Sequence, residues 1–214
     1  MAEEDAELFT QFSNWHFIAR VFILLFSLVI HEFAHAVTAD VLGDKTPRMN
    51  GRLTLNPIVH LELIGIIAIL FAPIGWARPV PINSRNFRHP RRDVIFVTAA
   101  GPLSNLLLAC IAFVVLRIGA ATIDPTSTLA IILSNVILLN ISLFIFNLIP
   151  IPPLDGSQIV RNLLPLRAAI RYSRMDAYGP FILLLLLIMP FFSQSVYEPL
   201  IVHTSQWVGS WFGV

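Results

Sequence analysis

Long apolar runs separated by short stretches rich in arginine dominate this chain. A membrane-spanning helix needs about 20 mostly apolar residues; three runs supply them and a fourth is short even if it begins at Tyr178, so spans are predicted at 15–41, 94–116, 129–149 and 178–192. The first run carries Arg20, the adjacent pair His31 and Glu32, and His35 within its apolar sequence. The run 129–149 ends against Pro150, Pro152 and Pro153, which stop a helix. A shorter run, 61–76, contains Gly65, Pro73 and Gly75. It is predicted to form, within 53–76, a re-entrant element or short β-hairpin after the first helix. The tail, 196–212, is less apolar and carries Trp207 and Trp211, aromatics suited to a membrane interface. It reads as an interfacial or additional segment. With no repeat, long linker or inserted soluble stretch, the pattern predicts one all-α polytopic helix bundle over 1–214.

Composition removes the alternatives. Hydrophobic residues make up 56% of the 214 and charged residues 13%, against about 45–50% and 25% in soluble domains. With a mean hydropathy of +0.76, the apolar excess is too large for a soluble core of this size. A net charge of only +1 argues against a basic nucleic-acid-binding surface. The single cysteine, Cys110, cannot form an internal disulfide. The first residues include Glu3, Glu4, Asp5 and Glu7 where a signal peptide would be basic.

Charge also orients the chain. Lys45, Arg48 and Arg52 follow the first run; Arg78, Arg85, Arg88, Arg91 and Arg92 precede 94–116; Arg161, Arg167, Arg171 and Arg174 follow 129–149. Cytoplasmic segments carry the excess of lysine and arginine, so these three are predicted inside and the N-terminus outside. Both flanks of 61–76 are then cytoplasmic, and that run dips in and returns.

The candidate chemistry lies in the first run. His31-Glu32-Phe33-Ala34-His35 is an H-E-x-x-H motif, and residues four apart share a helical face, so both imidazoles can reach one metal ion. Glu32 is placed to contact a metal-bound water without being a ligand. Three ionisable side chains in five residues at membrane depth are costly and point to function; the bland alternative is a chance match in a polar helix interface. Catalytic zinc takes three protein ligands and keeps a position open. The acids near the apolar runs are chiefly Glu62 and Asp155. Asp155 could instead cap the helix that follows it. The predicted topology brings it and His35 to the same, cytoplasmic side, which favours it as the third ligand.

The HEFAH helix followed far downstream by Asn147-Leu-Ile-Pro-Ile-Pro-Pro-Leu-Asp155-Gly156 resembles the site-2 protease family of intramembrane zinc metallopeptidases (M50 type). Gly51-Arg-Leu-Thr-Leu-Asn56-Pro57, Gly75-Trp-Ala-Arg-Pro-Val-Pro and Ala100-Gly101-Pro102-Leu-Ser-Asn105 look like its small bacterial branch, which lacks a PDZ domain. The resemblance implies one zinc ion per chain held by His31, His35 and Asp155, Glu32 as general base, and Asn147 as a polar group near the scissile carbonyl. It also implies a multi-pass protein of the bacterial cytoplasmic membrane whose active site faces the cytoplasm and whose substrates are transmembrane segments of other proteins.

Secondary candidates are His60, Glu62 and Asn56; the family pattern leads one to expect aspartate at Glu62. The other polar side chains, Asn105, Ser134, Asn135 and Asn140, read as interhelical contacts, and Gly101-Pro102 as a kink or close-packing site. A substrate helix hides its carbonyls in its own hydrogen bonds and must unwind or be captured as an edge strand, for which 51–56 is the predicted partner. Two other classes of function use the same residues: a membrane metal transporter, and an inactive homologue that binds membrane proteins.

Overall fold

The computed structural model describes residues 15–62 and 77–213. Over these residues the chain is an all-α polytopic membrane protein. The N-terminal stretch 1–14 and the bulk of the expected re-entrant run, 63–76, lie outside the described residues.

The first apolar run forms α1 (Trp15–Val41), whose 27 residues reach about 40 Å at 1.5 Å per residue. It ends at Gly43, where φ is +111°, a conformation that glycine adopts freely; there the Asp44 N–H closes onto the Ala39 carbonyl. Two short helices follow, α2 (Thr46–Met49) and α3 (Pro57–His60), each with proline in its first turn. Between them, 51–56 is a turn followed by bends rather than the expected strand edge. The described residues contain no strand. The single sign of β pairing is an antiparallel bridge between Leu61 and Ala77, flanked by the Arg78 N–H on the His60 carbonyl at 2.8 Å. The chain therefore enters and leaves 63–76 at neighbouring points.

Two long helices complete the centre, α4 (Pro90–Ile118) and α5 (Thr128–Leu148). Together with α1 they are the described helices long and apolar enough to cross a membrane. They pack on one another, and α4 and α5 share a core with the last helix through Ala109, Ala112, Phe113, Ile137, Ile141, Ile201 and Val208. Outward faces remain apolar, with Phe22, Phe26, Leu107 and Ile111 exposed, as expected where the solvent is lipid.

After α5 the chain turns through its prolines into α6 (Asp155–Leu163) and α7 (Leu166–Tyr172). The expected span at 178–192 is broken: α8 (Gly179–Ile188) has ten residues, and the pair Gly179–Leu186 and Pro190–Trp211 bends by 74°. Pro190 disfavours helical backbone at the residue before it, and Met189 is extended, with φ −73° and ψ 114°. The tail continues as α9 (Glu198–Trp211).

Candidate metal centre

His31 and His35 lie on the face of α1 that packs against α4, both buried, with ring centroids 4.6 Å apart and planes near perpendicular at 89°. Their outer nitrogens are engaged. His31 Nδ1 is 2.7 Å from Asn105 Oδ1 and His35 Nδ1 is 2.7 Å from the Val97 carbonyl. A carbonyl only accepts, so His35 Nδ1 carries the proton. Asn105 is oriented equally firmly, because its Nδ2 donates to Asn140 Oδ1 at 3.0 Å and to the Ser27 carbonyl at 3.4 Å. Its Oδ1 must then accept from His31 Nδ1. Each imidazole is thus held as the tautomer whose Nε2 lone pair points inward, the usual arrangement behind a metal-bound histidine.

Those two Nε2 atoms stand 3.0 Å apart, and Asp155 Oδ2 lies 3.1 Å from one and 3.4 Å from the other. Asp155 is the first residue of α6, not its cap. Its approach depends on Gly156, where a Cβ would come within 2.2 Å of the Leu148 carbonyl oxygen. Asp155 Oδ2 is buried and accepts no ordinary hydrogen bond. Three acceptors this close are stable only around positive charge. The donor atoms all lie within 4.8 Å of one another. Two nitrogens at the zinc distance of 2.0–2.1 Å in tetrahedral array are about 3.3 Å apart, close to the observed spacing, so the residues fit zinc. On the open side Gly101 backs both rings: a Cβ there would meet His35 Nε2 at 2.4 Å and His31 Nε2 at 2.6 Å. Gly101 is a close-packing site, as one of the two sequence readings held.

Glu32 points to the same place from the next position of α1. It is buried, and its Oε2 accepts the Val80 N–H at 3.1 Å. A cavity of about 1030 Å³ reaches His31, Glu32, His35 and Asp155 and is also lined by Val80, Phe146, Asn147, Gln158 and Leu183. Asn147 spends one of its two amide N–H groups on the Leu143 carbonyl at 2.9 Å.

The secondary candidates fall elsewhere. Asn56 caps α3, accepting the Ile58 N–H at 3.1 Å. His60 is fully buried and donates from Nε2 to the Thr54 carbonyl, with no partner at Nδ1. Neither these two nor Glu62 joins the metal-holding group, which is the one such group among the described residues. Asn135 does act between helices, accepting from Arg20 at 2.9 Å. Asn105 and Asn140 also connect helices, but as the support of His31, a role that no spacing along the chain reveals.

The sequence profile of peptidase family M50 matches residues 117–190. YwhC of Bacillus subtilis, which carries the name of a zinc metalloprotease, is 44% identical over 175 residues, 79% of this chain and 80% of the relative. The chain belongs to peptidase family M50. A second relative, Rip2 of Mycolicibacterium smegmatis, also named for a zinc metalloprotease, is 31% identical over 191 residues, 83% of this chain and 71% of its own length. No solved structure gives a significant match. As a member of the M50 family the chain is a site-2-protease-like membrane protein, and the profile covers α5 and Asp155.

Proposed function

We propose that this M50 chain is an intramembrane zinc endopeptidase, one domain over 1–214, that cleaves transmembrane segments of other membrane proteins. The observation that carries the reading is the convergence of two tautomer-fixed imidazoles and an otherwise unpartnered carboxylate oxygen within a bundle of spanning helices. His31, His35 and Asp155 are the proposed zinc ligands. Zinc bound there would act as a Lewis acid toward a peptide carbonyl and lower the pKa of water.

The chain's own groups do the rest. Glu32, one residue from the first ligand and facing the same cavity, takes a proton from the attacking water and returns it to the departing nitrogen. Asn147 faces the cavity from α5 and hydrogen-bonds the substrate backbone near the scissile carbonyl. The cavity's apolar walls suit an unwound hydrophobic segment. The positive-inside pattern supports an N-terminus outside, a site toward the cytoplasm, and residence in a bacterial cytoplasmic membrane. A transporter would need further ligands along a path, and the described residues hold no second metal-holding group.

The test uses the purified full chain and a fluorophore–quencher peptide with an apolar spanning sequence interrupted by proline and glycine. Glu32→Gln should keep its zinc and lose cleavage, whereas His31→Ala and Asp155→Ala should lose both. Cleavage by Glu32→Gln at the rate of the unsubstituted chain would remove Glu32 from its role. Full zinc content in Asp155→Ala would remove the third ligand.

A further inference from the structure

The buried Glu32 carboxylate takes its hydrogen bond from the backbone of 78–83, a segment with no regular secondary structure. Something must fix that segment. Pro79 and Pro81 carry no N–H, so the Val80 N–H is the single backbone donor between Arg78 and Ile82, and its position decides where Glu32 can point.

Arg52 holds the chain immediately before it. Gly51, with φ +67°, turns the backbone so that the Arg52 side chain runs inward, where the residue is 5% exposed. Its guanidinium donates to the Arg78 and Pro79 carbonyls, each at 3.2 Å, and closely to the Val59 carbonyl of α3. A planar fork of fixed donors suits three carbonyls from two strands of chain; a lysine ammonium has no such fixed geometry. Burial pulls the Arg52 pKa below its ordinary value, with the Arg78 charge acting in the same sense, while the Glu32 charge opposes both. The far end of the segment is held separately, by the Asn83 N–H on Asp44 Oδ2 at 2.7 Å.

We infer that Arg52 is a positioning residue for Glu32: by gripping the Arg78 and Pro79 carbonyls it sets the Val80 N–H, which holds one carboxylate oxygen and leaves the other for the proton. This rests on the reading of Glu32 as the base. Arg52 is not part of the metal-holding group and does not itself line the cavity; it meets the cavity wall only through the backbone of Pro79.

Arg52→Gly and Arg52→Lys, the second keeping charge and stem as a guard against misfolding of the first, are compared with the unsubstituted chain and with Glu32→Gln on the same peptide. For both Arg52 variants, zinc content should be unchanged, KM within about twofold and kcat lower by about 10²-fold, the scale of an ångström-level misplacement. Amide exchange at Val80 should quicken. Millimolar guanidinium should restore part of kcat in Arg52→Gly and none in Glu32→Gln. Wild-type kcat in a zinc-loaded Arg52→Gly, or a rise in KM with kcat intact, would overturn the inference while an inactive Glu32→Gln left the role of Glu32 standing. An active Glu32→Gln would instead defeat the reading beneath it.

Discussion

The imidazole of His31 is held by side chains of the neighbouring spanning helices, whereas the carboxylate of Glu32, one residue later, is held by a backbone N–H of an irregular segment. The first support runs through Asn105 on α4 to Asn140 on α5, both fully buried. The second runs through Val80 to Arg52 and Asp44 in the polar segments beyond α1. Helix-to-helix packing fixes atoms that must not move, as the proposed metal ligands require. An irregular segment anchored by a few hydrogen bonds can be disturbed without disturbing those ligands, so substitutions should separate metal binding from turnover.

The largest effect should come from Gly101→Ala, whose Cβ would overlap both Nε2 atoms. Zinc content is expected to fall below about a tenth of normal, since even outer-shell changes cost 10–100-fold in affinity. A full zinc complement would mean that the helices yield more than the packing suggests. Asn105→Leu removes the acceptor behind His31 and should weaken zinc about 10–100-fold in a chelator competition, with cleavage returning when zinc is added in excess. Loss of cleavage with normal zinc affinity would contradict the division of labour.

On the other side, Asp44→Asn should leave zinc affinity unchanged and lower thermal stability. Burial disfavours the Asp44 charge, but hydrogen bonds from Thr46, Asn83 and Asn86 outweigh it and hold the carboxyl below the usual aspartate range. Its stabilising contribution is therefore fully present above the unfolded pKa of about 3.9 and fades as pH falls below that value. Unfolding followed from pH 6 to pH 3 should show a steeper loss for the unsubstituted chain than for Asp44→Asn. The smallest effect belongs to Asn56→Ala, which loses a helix cap worth about 1 kcal/mol and should keep cleavage within twofold. A larger fall in cleavage would give Asn56 a role at the site beyond its cap.

Much of this was legible in the residues. HEFAH within an apolar run places two imidazoles on one face, and PPLDG, where α5 must stop, marks an acid at the same membrane depth. Asn105 and Asn140 could be read as contacts between helices, but not as the support of a ligand, because hydropathy says that a buried amide needs a partner without saying which. Arg52 read as a topology charge, since sign along the chain carries no information on whether a guanidinium turns inward. The run 178–192 was short for a span but read as one because apolar composition measures transfer into lipid, whereas the break at Met189 is a backbone effect of Pro190.

That break reaches beyond the fold. A helix of ten residues covers about 15 Å, half of a hydrocarbon layer about 30 Å thick. Bilayers meet so short an apolar surface by thinning around it. Because α8 lends Pro180, Leu183 and Leu184 to the cavity wall, the lipid should be thinnest beside the proposed site of hydrolysis, shortening the journey of each water molecule from the aqueous phase.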